Sequence, residues 1–342
     1  MMSKRPHPKT PRLVKPKRSV SIIGTGSCVP DRILTNAELE TIVDTTAEWI
    51  VTRTGIRERR IAPPDQTTSD LAAGAAQRAI EFSGISPSEI DLIIVATITP
   101  DMFFPATACM VQKKIGATRA ACFDVSAACS GFLYGIEIAQ QFIMSSTYDT
   151  ILVIGADKLS TAVDWTDRNT CVLFGDGAGA AILRSRAGAH GVITTHMGSD
   201  GNFADILFMP GGGSMTPITA ENVNDQLKTI KMNGKEVYKQ AVTAMYNAAI
   251  TAMKQSGLRP DDIACVIPHQ ANLRIIEGLA GRLRLPLDRF MVNLDRFGNT
   301  SAAAVAMALD EANRTERMKV GEYVLLVVFG GGLTWASSVI QW

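Results

Sequence analysis

A chain of 342 residues with 46% apolar side chains can bury one large core or two ordinary ones, and no apolar run reaches the roughly 18 residues that a membrane span needs. A net charge of +1 leaves no overall basic footprint for nucleic acid. Cysteines at 28, 109, 122, 129, 171 and 265 show neither C-x-x-C nor a Cys/His cluster at metal spacing, which argues against a disulfide scaffold or a metal site and suits a reducing cytoplasm.

Residues 1–18, MMSKRPHPKTPRLVKPKR, carry seven Lys or Arg, four prolines and no acid, leaving 27 basic and 33 acidic residues beyond them. The segment lacks the apolar stretch of a secretory leader and reads as a disordered basic arm, its sharper alternative being a contact to an acidic partner. A strand follows in SVSIIGTG (19–26). GTGSCV (24–29) begins like a dinucleotide fingerprint but lacks the third glycine, and GDGAGA (175–180) runs into the strand-like AAIL, so neither supports a nucleotide-binding oxidoreductase.

Residues 75–97, AAQRAIEFSGISPSEIDLIIVAT, reappear in outline at 248–270, AAITAMKQSGLRPDDIACVIPHQ. Seven identities hold at a constant offset of 173, from Ala75/Ala248 to Ile90/Ile263. Each copy predicts an alanine-rich helix, a glycine C-cap, a proline turn and a strand without alternation, as for a strand covered on both faces. Each is followed by a strand, corner and helix, CFDVSAACSGFLYGIEIA (122–139) and FMVNLDRFGNTSAAAVAMALDEA (290–312). A further strand comes after each, TILVIGAD (150–157) and YVLLVVFGGG (323–332), and HGVITTHMG (190–198) opens the second copy as SVSIIGTG opens the first. The chain therefore reads as two α/β halves, 19–189 and 190–342, sharing an interior in which helices lie between two sheets. The first corner carries Cys129 and the second, at an offset of 170, Asn299; the CVI strand delivers His269 where the first half has Ala96.

A thiol at a helix onset faces free N–H groups and a favourable dipole. These are worth about 0.3–2 kcal/mol, or roughly one pKa unit on a thiol near 8.5. Ala127, Ala128, Ser130 and Gly131 leave room for a carbonyl to reach the sulfur, an arrangement like a nucleophile elbow. The plain alternative is an inert buried cysteine, and the other five are read that way. His269, fixed by a proline and a strand end, has the alternative of an ordinary core histidine. Asn299 has that of a cap or turn residue, and Gly330–Gly332 that of a turn.

AEWIVTRTGI, SAACSGF, PHQANLRI, GNTSAA and FGGGLTW, in that order along residues 19–342, together resemble β-ketoacyl-acyl-carrier-protein synthase III. The resemblance implies a thiolase-like α/β fold of five layers, αβαβα, built from two pseudo-duplicated halves as a homodimer. It also implies decarboxylative condensation of an acyl-CoA primer, acetyl-CoA in the first instance, with malonyl-acyl carrier protein through an acyl-cysteine. Catalytic roles fall on Cys129, His269 and Asn299, and backbone oxyanion donors on Cys129 and Gly331. Trp49, Arg53 and Arg168 match CoA contacts, Arg274 a carrier-protein contact, and Phe104 a residue lent across the dimer to the acyl pocket. Lys235 departs from the asparagine some members place near the pantetheine arm. Neither metal nor cofactor is implied, and acyl-CoA and the acyl carrier protein are the expected partners. A quinolone- or polyketide-type relative with another primer or acceptor, and a non-catalytic acyl-CoA-binding protein, are the alternatives.

Overall fold

The computed structural model describes residues 18–186, 188 and 190–342; of the basic arm only Arg18 falls within it, donating to Ile143 O and pairing with Asp149 at 2.7 Å. Strands β1 (Ser19–Cys28), β2 (Leu92–Ala96), β3 (Ala121–Val125), β4 (Thr150–Lys158) and β5 (Asp176–Arg186) form one sheet in the order β1-β5-β4-β2-β3. Strands β6 (Gly191–Ser199), β7 (Ile263–Pro268), β8 (Tyr323–Gly330) and β9 (Thr334–Gln341) form a second, in the order β6-β9-β8-β7. The two orders coincide, and so do the pairings: antiparallel, antiparallel, parallel. The counterpart of β3 is reduced to a single parallel bridge, Val266 to Phe290.

Seven helices of eight or more residues occur among the described residues: α1 (Ala47–Thr54), α2 (Thr68–Ser83), α3 (Thr107–Ile115), α4 (Gly131–Met144), α5 (Gly234–Gln255), α6 (Leu273–Leu283) and α7 (Ala303–Arg314). Local chemistry sets their ends. Thr67 and Asp70 make a capping box at the start of α2, and Asn233 caps α5. Gly84 and Gly257, the repeated C-cap glycines, take left-handed φ values of 70° and 72°.

Side-chain alternation along the strands then sorts the layers. Ile93 and Val95 of β2 pack with Leu152 and Ile154 against Ala72, Ala75 and Ala79 of α2 and Val111 of α3. Ile94 and Val153 point to the opposite face, onto Phe132, Leu133 and Ile136 of α4 and Val305 and Leu309 of α7. Those helices also cover Leu326 and Val328 of the second sheet, whose other face takes α5 and α6 through Val242, Met245, Ile276 and Leu279. The result is five layers, αβαβα, and a strand buried on both faces is the reason the apolar runs lack alternation.

Central packing is close enough to need glycine. A Cβ on Gly179 of β5 would lie 2.6 Å from Ala306, and one on Gly155 of β4 would meet Ala302 O, inside contact distance. The two corners also correspond differently from the expected offset of 170. The residues with left-handed backbone there are Ala128, φ 46°, and Ser301, φ 53°, again 173 apart. The counterpart of Asn299 is therefore Ser126, and that of Cys129 is Ala302. An extra turn, Leu294–Phe297, lengthens the second corner before the frame is regained.

Gly155→Ala is expected to lower stability by about 1–3 kcal/mol through overpacking against the Ala302 carbonyl. Gly281→Ala, on the open side of α6 with nothing within 4 Å of its Cβ position, is expected to be neutral or stabilising by up to ~1 kcal/mol. Urea midpoints of the two variants measure both effects.

Candidate active site

A cavity of about 850 Å³ runs from Trp49 and Arg53 at one end past Cys129, His269, Asn299, Ser301 and Gly331. β3 leads through Ser126–Ala128 to a short 3₁₀ turn, Ala128–Ser130, that holds Cys129 just before α4. Thr334 ties the turn down, donating to Ala127 O at 3.1 Å and meeting Ser130 Oγ at 3.1 Å. Gly330 backs it: a Cβ there would lie 2.7 Å from Cys129 N. Among the described residues no protein acceptor takes the Cys129 or Gly331 amide proton.

Cys129 is only 7% exposed. Burial pushes its thiol up to about 12; the neighbouring Ser301 hydroxyl acts the other way, and the Asp157 carboxylate reinforces the rise. The helix onset, worth about one unit, is outweighed, so the resting group is a neutral thiol rather than the lowered thiol expected from sequence. His269 follows β7, its N–H donating to Val327 O at 2.8 Å. It is buried, its Nδ1 has no partner, and burial lowers it to about 4, so the imidazole is neutral. Asn299 is pinned by backbone bonds: its N–H donates to Leu173 O and its carbonyl accepts from Gly175 N. Its Oδ1 accepts from Ser301 N at 2.9 Å, which leaves the Nδ2 donors as the free end of the carboxamide.

The other expected residues divide. Trp49, Arg53, Lys235 and Gly331 line the cavity. Arg168 does not, but stacks on Trp49 with Cζ 4.9 Å from the ring centre and donates to Asp44 O at 3.1 Å. At that separation a ring could enter between the two groups only if they part. Arg274 is exposed on α6 outside the lining. Phe104 is 85% exposed and off the cavity wall, whereas Phe103 lies on it.

Sequence reading missed four groups. Ser301 stands inside the quoted GNTSAA and Asp157 inside TILVIGAD; an acid in a strand covered on both faces was a usable signal. Ser126 and the apolar wall from Leu207, Phe208, Met209 and Met232 carry no such signal.

Two repeated halves that bring a cysteine, an imidazole and a carboxamide onto one cavity have the fold of a thiolase-like condensing acyltransferase. The family profile for 3-oxoacyl-[acyl-carrier-protein (ACP)] synthase III matches residues 123–201, and that for its C-terminal part matches residues 253–342. The β-ketoacyl-[acyl-carrier-protein] synthase III of Caldanaerobacter subterraneus subsp. tengcongensis is 55% identical over 326 residues, 95% of this chain and 98% of its own. The chain belongs to the β-ketoacyl-[acyl-carrier-protein] synthase III family. Among solved structures, the 3-oxoacyl-[acyl-carrier-protein] synthase III of Aquifex aeolicus VF5 is similar, with TM-score 0.88, 44% identity and 94% and 100% of the two chains covered. The priming β-ketosynthase of the R1128 polyketide pathway gives TM-score 0.88 at 37% identity, with 96% and 98% covered.

A histidine lowered from 6.5 to about 4 on folding binds fewer protons in the native state between those values. Its neutral burial therefore contributes fully above pH ~6.5, and that contribution is lost as pH falls toward 4, by about 3 kcal/mol. His269→Gln is expected to flatten this part of the stability profile relative to the parent. Denaturant midpoints at about pH 7.5 and 4.5 on both proteins measure the difference.

Proposed function

We propose that the protein initiates fatty-acid synthesis by condensing an acyl-CoA primer, acetyl-CoA in the first instance, with malonyl-acyl carrier protein. The supporting observation is the single cavity that joins Cys129, His269 and Asn299 to the cationic, aromatic mouth formed by Trp49, Arg53 and Lys235. The Cys129 thiolate attacks the primer thioester, and CoA leaves. The Cys129 and Gly331 amides hold the oxyanion, a kind of donor worth about 10²–10³ in rate. Malonyl-carrier protein then enters the acylated site in a ping-pong order. Loss of CO2 leaves an enolate whose oxygen accepts from the neutral His269 imidazole and from Asn299 Nδ2. The enolate carbon attacks the acyl-cysteine, giving 3-oxoacyl-carrier protein and freeing Cys129.

Binding roles follow charge and shape. Trp49 and Arg168 part to take the adenine ring, with Arg53 beside the phosphates; stacking on indole and guanidinium is the use of this pair. Arg274, exposed beside the mouth, suits an acidic carrier protein. Met102, Phe103 and Phe104 form an exposed apolar run, as expected where a second copy covers them and Phe104 reaches the neighbouring acyl pocket in a homodimer. The reaction needs no further cofactor, since CO2 release drives it. Among the described residues no helix is long and apolar enough to cross a membrane. The proposed substrates, acyl-CoA and a carrier protein, favour a cytoplasmic reaction. The organisation is a basic arm, 1–18, and two halves, 19–189 and 190–342. The likeness to the R1128 priming β-ketosynthase favours, as a second reading, a polyketide-type acceptor.

Intact-mass measurement after exposure to a panel of acyl-CoAs is expected to show one adduct, absent in Cys129→Ala. His269→Ala and Asn299→Ala are expected to keep the adduct and lose at least about 10²-fold in condensation with malonyl-carrier protein. An adduct on Cys129→Ala overturns the assignment of the nucleophile. Acylation without carrier-dependent product overturns the acceptor.

A further inference from the structure

The Cys129 proton has no evident acceptor among the three residues already assigned. His269, lowered by burial, is a weak base at rest. Asp124, also on the cavity wall, is committed to Thr107 N at 2.6 Å and Ala108 N at 2.8 Å. Arg53, Lys235 and Tyr238 on the same wall are not resting bases, and the carboxylate whose charge acts on the thiol is Asp157 of β4.

Asp157 is fully buried. Its Oδ1 accepts from Thr97 Oγ1, Ile98 N, Thr99 N and Thr99 Oγ1 at 2.9–3.2 Å, while Oδ2 accepts from Ala302 N at 3.2 Å. Among the described residues no cation pairs with it, and burial raises it, so it is disposed to take a proton. Ser301 sits between the carboxylate and the cavity. It shares the cavity wall with the Cys129 thiol, where Asp157 does not, and the next residue, Ala302, donates to the Asp157 carboxylate. Its Oγ is buried and bonded to neither at rest. A serine at φ 53° carries backbone strain that glycine would avoid, and an orphaned buried hydroxyl adds a desolvation cost. Glycine would remove both costs, so the hydroxyl is the feature that needs a use.

We infer that Ser301 and Asp157 form a proton relay for Cys129: the Sγ–H proton passes to Ser301 Oγ as the Ser301 hydroxyl proton passes to Asp157 Oδ2. The sulfur keeps the electron pair and forms the new S–C bond to the thioester carbonyl; the old C–S bond breaks, and its pair leaves on the CoA sulfur. The proton returns through Ser301 to that departing thiolate, restoring the carboxylate and giving the free thiol of CoA. In this step Ser301 exchanges a proton with the reacting sulfur directly, whereas Asp157 acts through Ser301. The substrate in this step rests on the proposed function, but the proton path does not.

Alkylation by iodoacetamide separates the two. It forms Sγ–CH2, breaks C–I, expels iodide and releases the thiol proton, with no acyl-CoA present. The parent is expected to react at a rate nearly constant from about pH 6 to 9, because the proton is taken up internally. Ser301→Ala and Ser301→Gly are expected to react at least about tenfold more slowly near pH 7, with a rate that climbs with pH. Asp157→Asn gives the sharper readout. As a bare neighbouring charge, Asp157 opposes the thiolate, so its removal would speed alkylation; as the proton acceptor, its removal slows it. A faster Asp157→Asn, or parent-like rates and pH profiles in both Ser301 variants, overturns the relay. Should Asp157→Asn fail to fold by circular dichroism, the serine pair decides alone. A serine-dependent profile in a protein that forms no acyl adduct would refute the substrate and leave the relay standing.

Discussion

Everything in the site hangs on how closely the second corner presses against a strand of the first sheet. Ala302 O lies where a Cβ on Gly155 would stand, and Ala302 N reaches the Asp157 carboxylate two residues along the same strand. That contact fixes the start of α7 between the sheets. It also places Asn299 and Ser301, which belong to one half, in the cavity that holds Cys129 of the other. With any larger residue at 155 the corner would have to move, and the carboxamide with it. Helix α7 and its corner can approach the sheet this closely because Ala302 and Ala306 meet Gly155 and Gly179, and close-packed interiors transmit such shifts rather than absorb them.

Burial governs the electrostatics of Cys129 and His269. A helix onset favours a thiolate, yet desolvation of a nearly inaccessible sulfur is the larger effect, and the resting thiol keeps its proton. The same desolvation keeps His269 neutral, which suits the role proposed for it as an uncharged hydrogen-bond donor. Asn299 needs no titration: its orientation comes from the backbone of Ser301 and from the Leu173 and Gly175 bonds. The site is thus assembled from neutral donors and one buried anion, with charge appearing only as bonds change.

Duplication explains why such a site arises at a junction. The two sheets share strand order and pairing sense, and the left-handed residues Ala128 and Ser301 mark equivalent corners. The halves then differ at the candidate site. Cysteine stands opposite Ala302, histidine opposite Ala96 and asparagine opposite Ser126, all within a frame of 173 residues. Residues 294–297 add a turn before the second corner, and that insertion misleads any alignment of the corners by motif alone.

Periodicity, cap residues and the repeated segments were enough to determine the strands, the alanine-rich helices, the doubled α/β plan and the candidate trio Cys129, His269 and Asn299. Those signals are local: a glycine C-cap or an unalternating apolar run is decided within a few residues of chain. Only the tertiary structure decided which face each strand gives to which helix, that Trp49 stacks on Arg168, and that Phe103 rather than Phe104 lines this cavity. It alone also set the protonation of Cys129 and His269 and joined Asp157 to Ser301, groups 144 positions apart in the chain. Solvation and long-range contact depend on what surrounds a side chain in space, and linear spacing does not carry that information.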